Sequence, residues 1–295
     1  MRVFVTGATG YIGSAVVRSL VAAGHEVGGL VRSREKEAVV KAMGAVPIFG
    51  HLADPELYQH FAAESAAVIH TAFESPASDL AACEALISAQ KAEGYDKIFI
   101  LTSGVLVLGD TGGAVVDETG STENPWPGVA WRPANERYVL GQAEGEFVTA
   151  VVRPGFVYGG DGRGVLASYV QSAVDRGASE YVGDGTGVLS YVHVDDLADL
   201  YRLIAEKRAK GVFHGVDDST ATHAEIATAV SRAAGKDGKT KGVSLQDAEK
   251  AMGPFASAFV IKERVRTSRA QEVGWKPKHK GVLDDVARAV KAAKP

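Results

Sequence analysis

The chain has 295 residues, a formal net charge of −4 and one cysteine. That length suits one large α/β domain, or a large domain with a small one, and the acidic balance leaves no basic face for nucleic acid. Cys83 alone builds no disulfide framework, which fits a reducing, cytoplasmic setting, and no apolar run reaches the roughly eighteen residues a membrane span needs.

The first predicted element is a strand, Val3–Thr6, and its start at residue 2 leaves no room for a signal peptide. It runs into Gly7-Ala-Thr-Gly10-Tyr-Ile-Gly13 and then into a helix, Ile12–Ala23. Gly7 permits a tight turn off the strand. Gly10 lets backbone approach a pyrophosphate. Gly13 lets the helix lie close to the strand. Phosphate at such a helix N-terminus meets free N–H groups and the positive end of the helix dipole. The strand before the glycines and the helix after them supply the context this motif requires.

Further strands are predicted at Val27–Val31, Val46–Phe49, Ala67–His70, Ile98–Thr102 and Thr149–Arg153. Helices fall between them at Glu35–Met43, Pro55–Ala63, Leu80–Glu93 and about Ala134–Gly141. This alternation predicts an α/β fold with a parallel sheet and helices on both faces. Cys83 is expected as a buried residue of the Leu80–Glu93 helix, not as a nucleophile. Residues 109–130 are rich in Gly, Thr, Asp, Glu and Pro and read as a long loop, of a length that is usually functional or disordered. Val282–Ala293 is amphipathic and reads as a terminal surface helix.

The second strand ends in Leu30-Val31-Arg32-Ser33-Arg34, with Lys36 beyond and no carboxylate. An acid there would bind a ribose 2′-hydroxyl, whereas arginine accommodates a 2′-phosphate. Arg32 and Ser33 therefore favour NADP(H), with NAD(H) possible if backbone groups hold the ribose.

These pieces, taken with others along the chain, resemble the short-chain dehydrogenase/reductase superfamily in its extended, epimerase-like branch. The others are Val68-Ile-His-Thr-Ala72, Leu101-Thr-Ser-Gly104, Val107-Leu-Gly109, Val152-Arg-Pro-Gly-Phe-Val-Tyr-Gly159, Val182-Gly-Asp-Gly185, Val192-His-Val-Asp-Asp-Leu-Ala198 and Ala270-Gln-Glu-Val-Gly-Trp275. The resemblance implies a Rossmann doubly wound parallel sheet with a smaller, mostly C-terminal substrate domain. Residues 1–157 would form the dinucleotide-binding part, with about 188–212 returning to it. Residues 158–187 and 213–295 would form the smaller part.

By position, the resemblance assigns Gly7, Thr9, Gly10, Tyr11, Ile12 and Gly13 to the pyrophosphate turn. Thr71, Ala72 and Phe73 would wrap the ribose. Thr102 and Ser103 would end near the nicotinamide, and Pro154, Gly155, Phe156 and Val157 near its carboxamide. Gly50-His51-Leu52 stands where the family often has Gly-Asp-Leu, so His51 and Leu52 fall at the adenine. Phe73, Trp131, Tyr158 and Tyr191 are expected on the substrate side.

The catalytic positions depart from the family. It usually carries Tyr-x-x-x-Lys, and no such pair occurs here. Tyr138 is followed by Gln142, and Tyr95 precedes the fifth strand. Aligning on Glu136 puts Arg132 at the lysine position and Gly128 at the tyrosine position. Gly104 takes the serine position, with Ser103 just before it. Arg132 could still donate to ribose hydroxyls but stays charged, so it serves as neither acid nor base. A proton would come from Ser103, the nearest candidate donor at the end of the fifth strand, or from another polar side chain, the substrate or water. Trp126 or Trp131 would cover the nicotinamide side, unless both lie in the core. His193 reads as structural, with Asp195 or Asp196 as helix N-cap and first-turn acid. No metal site is expected.

Three functions follow. The first is an NADP(H)-dependent oxidoreductase acting on a small carbonyl or sugar-like substrate. The second is a non-catalytic NADP(H)-binding sensor. The third is a nucleotide-sugar epimerase or dehydratase, which would want a basic cleft; Arg163 is the sole basic residue between Arg153 and Arg176. The expected partner is a small-molecule substrate, with no nucleic acid or membrane, in a monomer or homodimer.

Overall fold

The computed structural model describes residues 1–94, 96–160 and 164–293; Tyr95 and Arg163 lie outside the described residues. The chain runs β1 (Arg2–Thr6), α1 (Tyr11–Ala22), β2 (Glu26–Val31), α2 (Arg34–Ala42), β3 (Val46–Phe49), α3 (Gln59–Glu64), β4 (Ala67–His70), α4 (Pro76–Ala92), β5 (Ile98–Thr102), β6 (Val115–Val116), α5 (Arg132–Leu140) and β7 (Val148–Pro154). It continues as β8 (Phe156–Tyr158), α6 (Leu166–Arg176), β9 (Ser179–Val182), β10 (Val188–His193), α7 (Val194–Lys207), β11 (Gly211–Gly215), β12 (Thr220–Thr222), α8 (His223–Ala233), β13 (Thr240–Val243), α9 (Leu245–Met252), β14 (Arg264–Val265) and α10 (Val286–Ala292).

Seven strands form one sheet in the order β11-β7-β5-β4-β1-β2-β3. All its pairs are parallel. The chain steps outward from β1 through β2 to β3, then returns to the other side at β4. This reversal opens a crevice at the carboxyl ends of β1 and β4, where open α/β sheets bind ligands. One face of the sheet is covered by α1 and α7 around Val16, Leu20, Leu197, Tyr201 and Ile204. The other carries α4 and part of α5 around Cys83, Leu86, Val139 and Phe147. Cys83 is buried, and burial pushes its thiol above the ordinary range, as an inert core residue requires.

A second core, with Tyr169, Tyr191, Ile226 and Val286, lies in the smaller part. There β8, β10 and β12 make a three-stranded sheet. The boundary expected at 212 falls inside β11, which pairs with β7 from Gly211 to Gly215. Ala270, Val273 and Trp275 also return to the first core. The helix expected over Pro55–Ala63 is broken at Tyr58. Its backbone leaves the helical region at φ −133° so that the buried ring stacks on Phe4 and its hydroxyl donates to the Leu52 carbonyl. The last helix starts at Val286, four residues later than expected, after a non-helical Gly281 (φ 134°) and a run of turns.

Residues 109–130 are largely irregular, as expected, and they are anchored. Glu118 accepts from His214 N, Thr267 Oγ1, Ser268 N, Ser268 Oγ and Arg269 N. Burial opposes ionisation, but these donors win and hold the carboxyl down at about 2. Glu263 is the opposite case. It is fully buried, accepts only from Ser190 N and Oγ, and has no ion pair among the described residues. Burial pushes it from 4.5 up to about 7.

A folded-state pKa above the unfolded one adds stability that is complete below pH 4.5 and is lost as pH rises through about 7. The loss is on the order of 3 kcal/mol. Glu263→Gln should therefore raise Tm relative to wild type at pH 8 and leave the difference small at pH 4.5. Thermal melts across that range check it, and a Tm difference independent of pH would contradict it.

Candidate active site

The cofactor crevice is built by close approach between β1, α1 and the end of β4. Gly7 has φ +68°, and a Cβ there would lie 2.8 Å from Ala72 N. A Cβ on Gly13 would penetrate the Gly7 carbonyl and sit 2.6 Å from Thr71 Oγ1. Thr71 Oγ1 donates to the Thr6 carbonyl at 2.7 Å, and Ala72 N donates to Thr6 Oγ1 at 3.3 Å. Thr6 Oγ1 also bonds His70 Nδ1 at 2.8 Å. The first turn of α1 is thereby set directly over the sheet edge. Gly10 offers it no side-chain cap, and the turn holds no acid. Its N–H groups are left for an anion.

A cavity of 420 Å³ opens at this turn, lined by Gly7, Thr9, Gly10, Leu52 and Thr71 through Glu74, with Leu30, Val31, Arg32 and Lys36 at the far end. An uncapped helix N-terminus facing a cavity with two cations at its rim fits a phosphorylated dinucleotide. Tyr11, next to this turn, donates to the Gly159 carbonyl at 2.8 Å; Ile12 is partly buried against the first core. Ser33 Oγ caps α2 by accepting from Lys36 N. His51 is exposed, 3.8 Å from Glu74, outside the lining residues.

Sequence reasoning missed Glu74. Its carboxylate accepts from Arg32 Nη1 at 2.9 Å across the rim. The only available signal was an acid next to Phe73, and nothing in the spacing ties residue 74 to residue 32.

At the nicotinamide end, β4, β5 and β7 finish side by side. Thr102 closes β5, and its Oγ1 accepts from Tyr201 OH at 2.8 Å. Ser103 N donates to the Val152 carbonyl, while Ser103 Oγ is buried with no protein partner among the described residues. Pro154 ends β7; Gly155 lies so close to β10 that a Cβ would be 2.6 Å from Ser190 O. Phe156 and Val157 pair with Tyr191 and Val192.

Arg132 enters from the start of α5. Its Nη1 donates to the Thr102 carbonyl at 3.0 Å, and its guanidinium carbon sits 4.4 Å from the Trp131 ring centroid and 5.3 Å from that of Phe73. Burial lowers its pKa against the opposing fields of Asp79 and Glu136. It remains a cation. The helix is bolted to β7 by a buried pair: Arg153 Nε donates to Glu136 Oε1 at 3.1 Å, and Nη2 donates to Oε2 at 2.6 Å. Tyr138, further along α5, packs into the core against α4 and has no place in the crevice.

Three expectations need correction. Tyr158 and Tyr191 do not line a substrate surface. Both are fully buried in the second core, Tyr158 donating to Asp217 Oδ2 at 2.7 Å. β10 is buried on both faces, and Tyr158 lies beside it in register with His193. The N-cap of α7 is His193 itself, whose Nδ1 accepts from Asp195 N at 3.1 Å; Asp195 and Asp196 are first-turn acids. Of the two tryptophans, Trp126 is core and donates to Ser257 Oγ, while Trp131 stays half-buried at the crevice. Two clusters, His70–Asp79–Cys83 and His193–Asp195–His279, bring ligand-type atoms within 4.8 Å of one another. Protein donors already engage much of both: Asn135 on Asp79 at 2.9 Å, and His279 on Asp196 at 2.9 Å.

Gly128, the residue expected at the family's tyrosine position, is sterically closed. A Cβ on Gly128 would land inside the Trp126 indole, 2.6 Å from Cε3 and nearer still to Cζ3 and Cη2. The indole fills the space into which a side chain at 128 would project. In contrast, a Cβ on Gly104 meets nothing nearer than the Pro154 carbonyl at 4.0 Å.

Fold and crevice together define an α/β dinucleotide-binding protein of the extended short-chain dehydrogenase/reductase type. The chain belongs to the NAD dependent epimerase/dehydratase family, which matches residues 3–214. It is 32% identical to an uncharacterized protein of Schizosaccharomyces pombe, over 97% of this chain and 98% of that one. It is 30% identical to 4-hydroxy-2-methyl-3-oxo-4-farnesyl-3,4-dihydroquinoline-1-oxide ketoreductase of Stigmatella aurantiaca, over 74% of this chain and 68% of the relative. Among solved structures it is similar to the UDP-glucose 4-epimerase of Thermus thermophilus in complex with NAD. There the TM-score is 0.81 at 25% identity, covering 99% of this chain and 98% of that one. No helix among the described residues is long and apolar enough to cross a membrane.

The Trp126–Gly128 geometry makes a direct prediction. Gly128→Tyr alone should destabilise the protein by roughly 1–3 kcal/mol or more through overpacking. Adding Trp126→Ala should recover part of that loss. Equal Tm values for the single and double variants would disprove the collision.

Proposed function

We propose that the protein is an NADP(H)-dependent reductase of carbonyl compounds. The observation that carries this reading is the uncapped N-terminus of α1 opening onto a 420 Å³ cavity with Arg32 and Lys36 at its far rim. In this reading Thr9 through Gly13 receive the pyrophosphate. Leu52 and Leu30 flank the adenine, with exposed His51 beside them. Arg32 takes the 2′-phosphate, with Ser33 donating its hydroxyl hydrogen. Thr71, Ala72 and Phe73 border the ribose, and Arg132 donates to its hydroxyls. Pro154 through Val157 hold the carboxamide side. Hydride chemistry belongs to the bound nicotinamide; the chain orients it and the acceptor. In this reading the smaller part covers the acceptor through residues 245–260.

The resemblance to a ketoreductase supports reduction over epimerisation. In the free protein Glu74 holds Arg32. A 2′-phosphate would take over that guanidinium while being repelled by the carboxylate, so Glu74 sets how strongly the rim prefers phosphate.

Calorimetric titration tests the reading. NADPH should bind more tightly than NADH. Arg32→Asp should cost NADPH roughly 1.5–3 kcal/mol, the worth of a charge-assisted contact. Glu74→Gln should tighten NADPH and leave NADH nearly unchanged. Equal affinities for the two cofactors in wild type, or an indifferent Arg32→Asp, would overturn the preference. Tight NADPH binding with no turnover of any carbonyl would favour the sensor alternative.

A further inference from the structure

Reducing an isolated carbonyl creates an alkoxide, a base so strong that a proton must arrive as it forms. That is the task of the family's tyrosine. This site has no acid in that place. The direction a side chain at 128 would take is filled by the Trp126 indole. What the site offers is a permanent cation. Arg132 spends one N–H on the Thr102 carbonyl, and no other hydrogen bond joins it to the protein among the described residues. A guanidinium cannot donate a proton at any working pH, but it pairs well with a negative oxygen. Such a site suits a reaction whose product anion is delocalised and weakly basic. A phenolate is the measure of such an anion, its conjugate acid having a pKa of about 10.

The shape agrees. β5 lies between β4 and β7, so Ser103 and Gly104 form a floor between the residues that follow those strands. The floor is bare at Gly104. On the β4 side stands half-exposed Phe73, stacked on Trp131 at 5.2 Å and 10°. On the β7 side Phe156 contacts Phe255 at 6.2 Å, and Phe255, 43% exposed, meets Trp126 edge-on at 5.6 Å. Aromatic walls on both sides of a bare floor favour a flat, conjugated molecule that stacks, and offer a sugar's hydroxyls few partners.

We propose that the substrate is an α,β-unsaturated carbonyl compound conjugated to an aromatic ring, with Arg132 holding the oxyanion made by conjugate reduction. This rests on the reductase reading above. In the step, a hydride from reduced nicotinamide dinucleotide forms a C–H bond at the β-carbon. The C=C electron pair shifts so that the carbonyl oxygen takes the negative charge. The dinucleotide is oxidised by two electrons and the acceptor reduced by two. The resulting enolate pairs with Arg132 and takes its proton from water. Arg132 is then a catalytic residue, and Ser103 is not required as an acid.

Two measurements test this, beside a calorimetric check that NADPH and NADP+ bind. The first needs no turnover: 4-nitrophenol is titrated by absorbance with wild-type protein and saturating NADP+. Its pKa should fall by at least one unit on binding, because the phenolate is held at least tenfold more tightly than the phenol. Arg132→Gln should abolish the shift and Arg132→Lys should keep part of it, with melts confirming that both variants fold. The second compares 4-phenylbut-3-en-2-one with its saturated analogue 4-phenylbutan-2-one under NADPH. The enone should be favoured at least a hundredfold in kcat/KM, the low end of what a missing acid costs. An unshifted nitrophenol pKa, or equal rates for enone and ketone, in a protein that binds NADPH overturns the proposal and leaves the reductase reading standing. A protein that binds neither NADPH nor NADP+ overturns both.

Discussion

The Glu136–Arg153 pair is the joint on which the catalytic half of the crevice hangs. Both side chains are buried, and the guanidinium meets the carboxylate through two nitrogens. Arg153 also reaches His214 Nε2 at 3.4 Å, and His214 Nδ1 contacts the Arg266 carbonyl at 3.0 Å. One ion pair therefore ties α5 to β7, β11 and the C-terminal segment. Breaking one partner of such a pair strands a buried charge, at a cost of about 3–5 kcal/mol. Because Arg132 sits one turn before Glu136 on the same helix, that pair also fixes where the site's cation lies. The opposite half is set by close packing and by the hydrogen bonds of Thr6 with Thr71 and Ala72: Gly7, Gly13 and Thr71 approach so closely that no larger residue fits at the two glycines.

Much of the large domain was legible from the sequence because each of its elements carries a local signal. Strand runs such as Ile98–Thr102 are continuous and apolar, as buried parallel strands must be. The glycine spacing reported the turn after β1 without any knowledge of the rest. Where a tertiary demand outweighed the local pattern, the reading failed. Tyr58 breaks a helix because its hydroxyl needs the Leu52 carbonyl. Tyr158 and Tyr191, expected on the substrate side, are both buried in the second core.

The site itself was half legible. The glycine turn is made by consecutive residues, so its chemistry shows in the sequence. The other end of the crevice is made by residues from five separated stretches: Phe73, Ser103, Trp126 to Arg132, Pro154 to Val157, and Phe255. No spacing rule joins Trp126 to Gly128 as an indole lying over a glycine, although both are in plain view. The missing tyrosine could be read from the sequence. That its place is filled could not, because this depends on the path of the loop that Trp126 ends.

That loop owes its path to Glu118. Four of the five groups that donate to this carboxylate belong to Thr267, Ser268 and Arg269, which lie about 150 positions further along the chain. During synthesis the sheet from β1 to β7 is complete long before those donors exist. The residues of the glycine turn therefore leave the ribosome first, and those that anchor the loop leave it among the last. The two sides of the crevice are thus separated in the order of synthesis as well as in space.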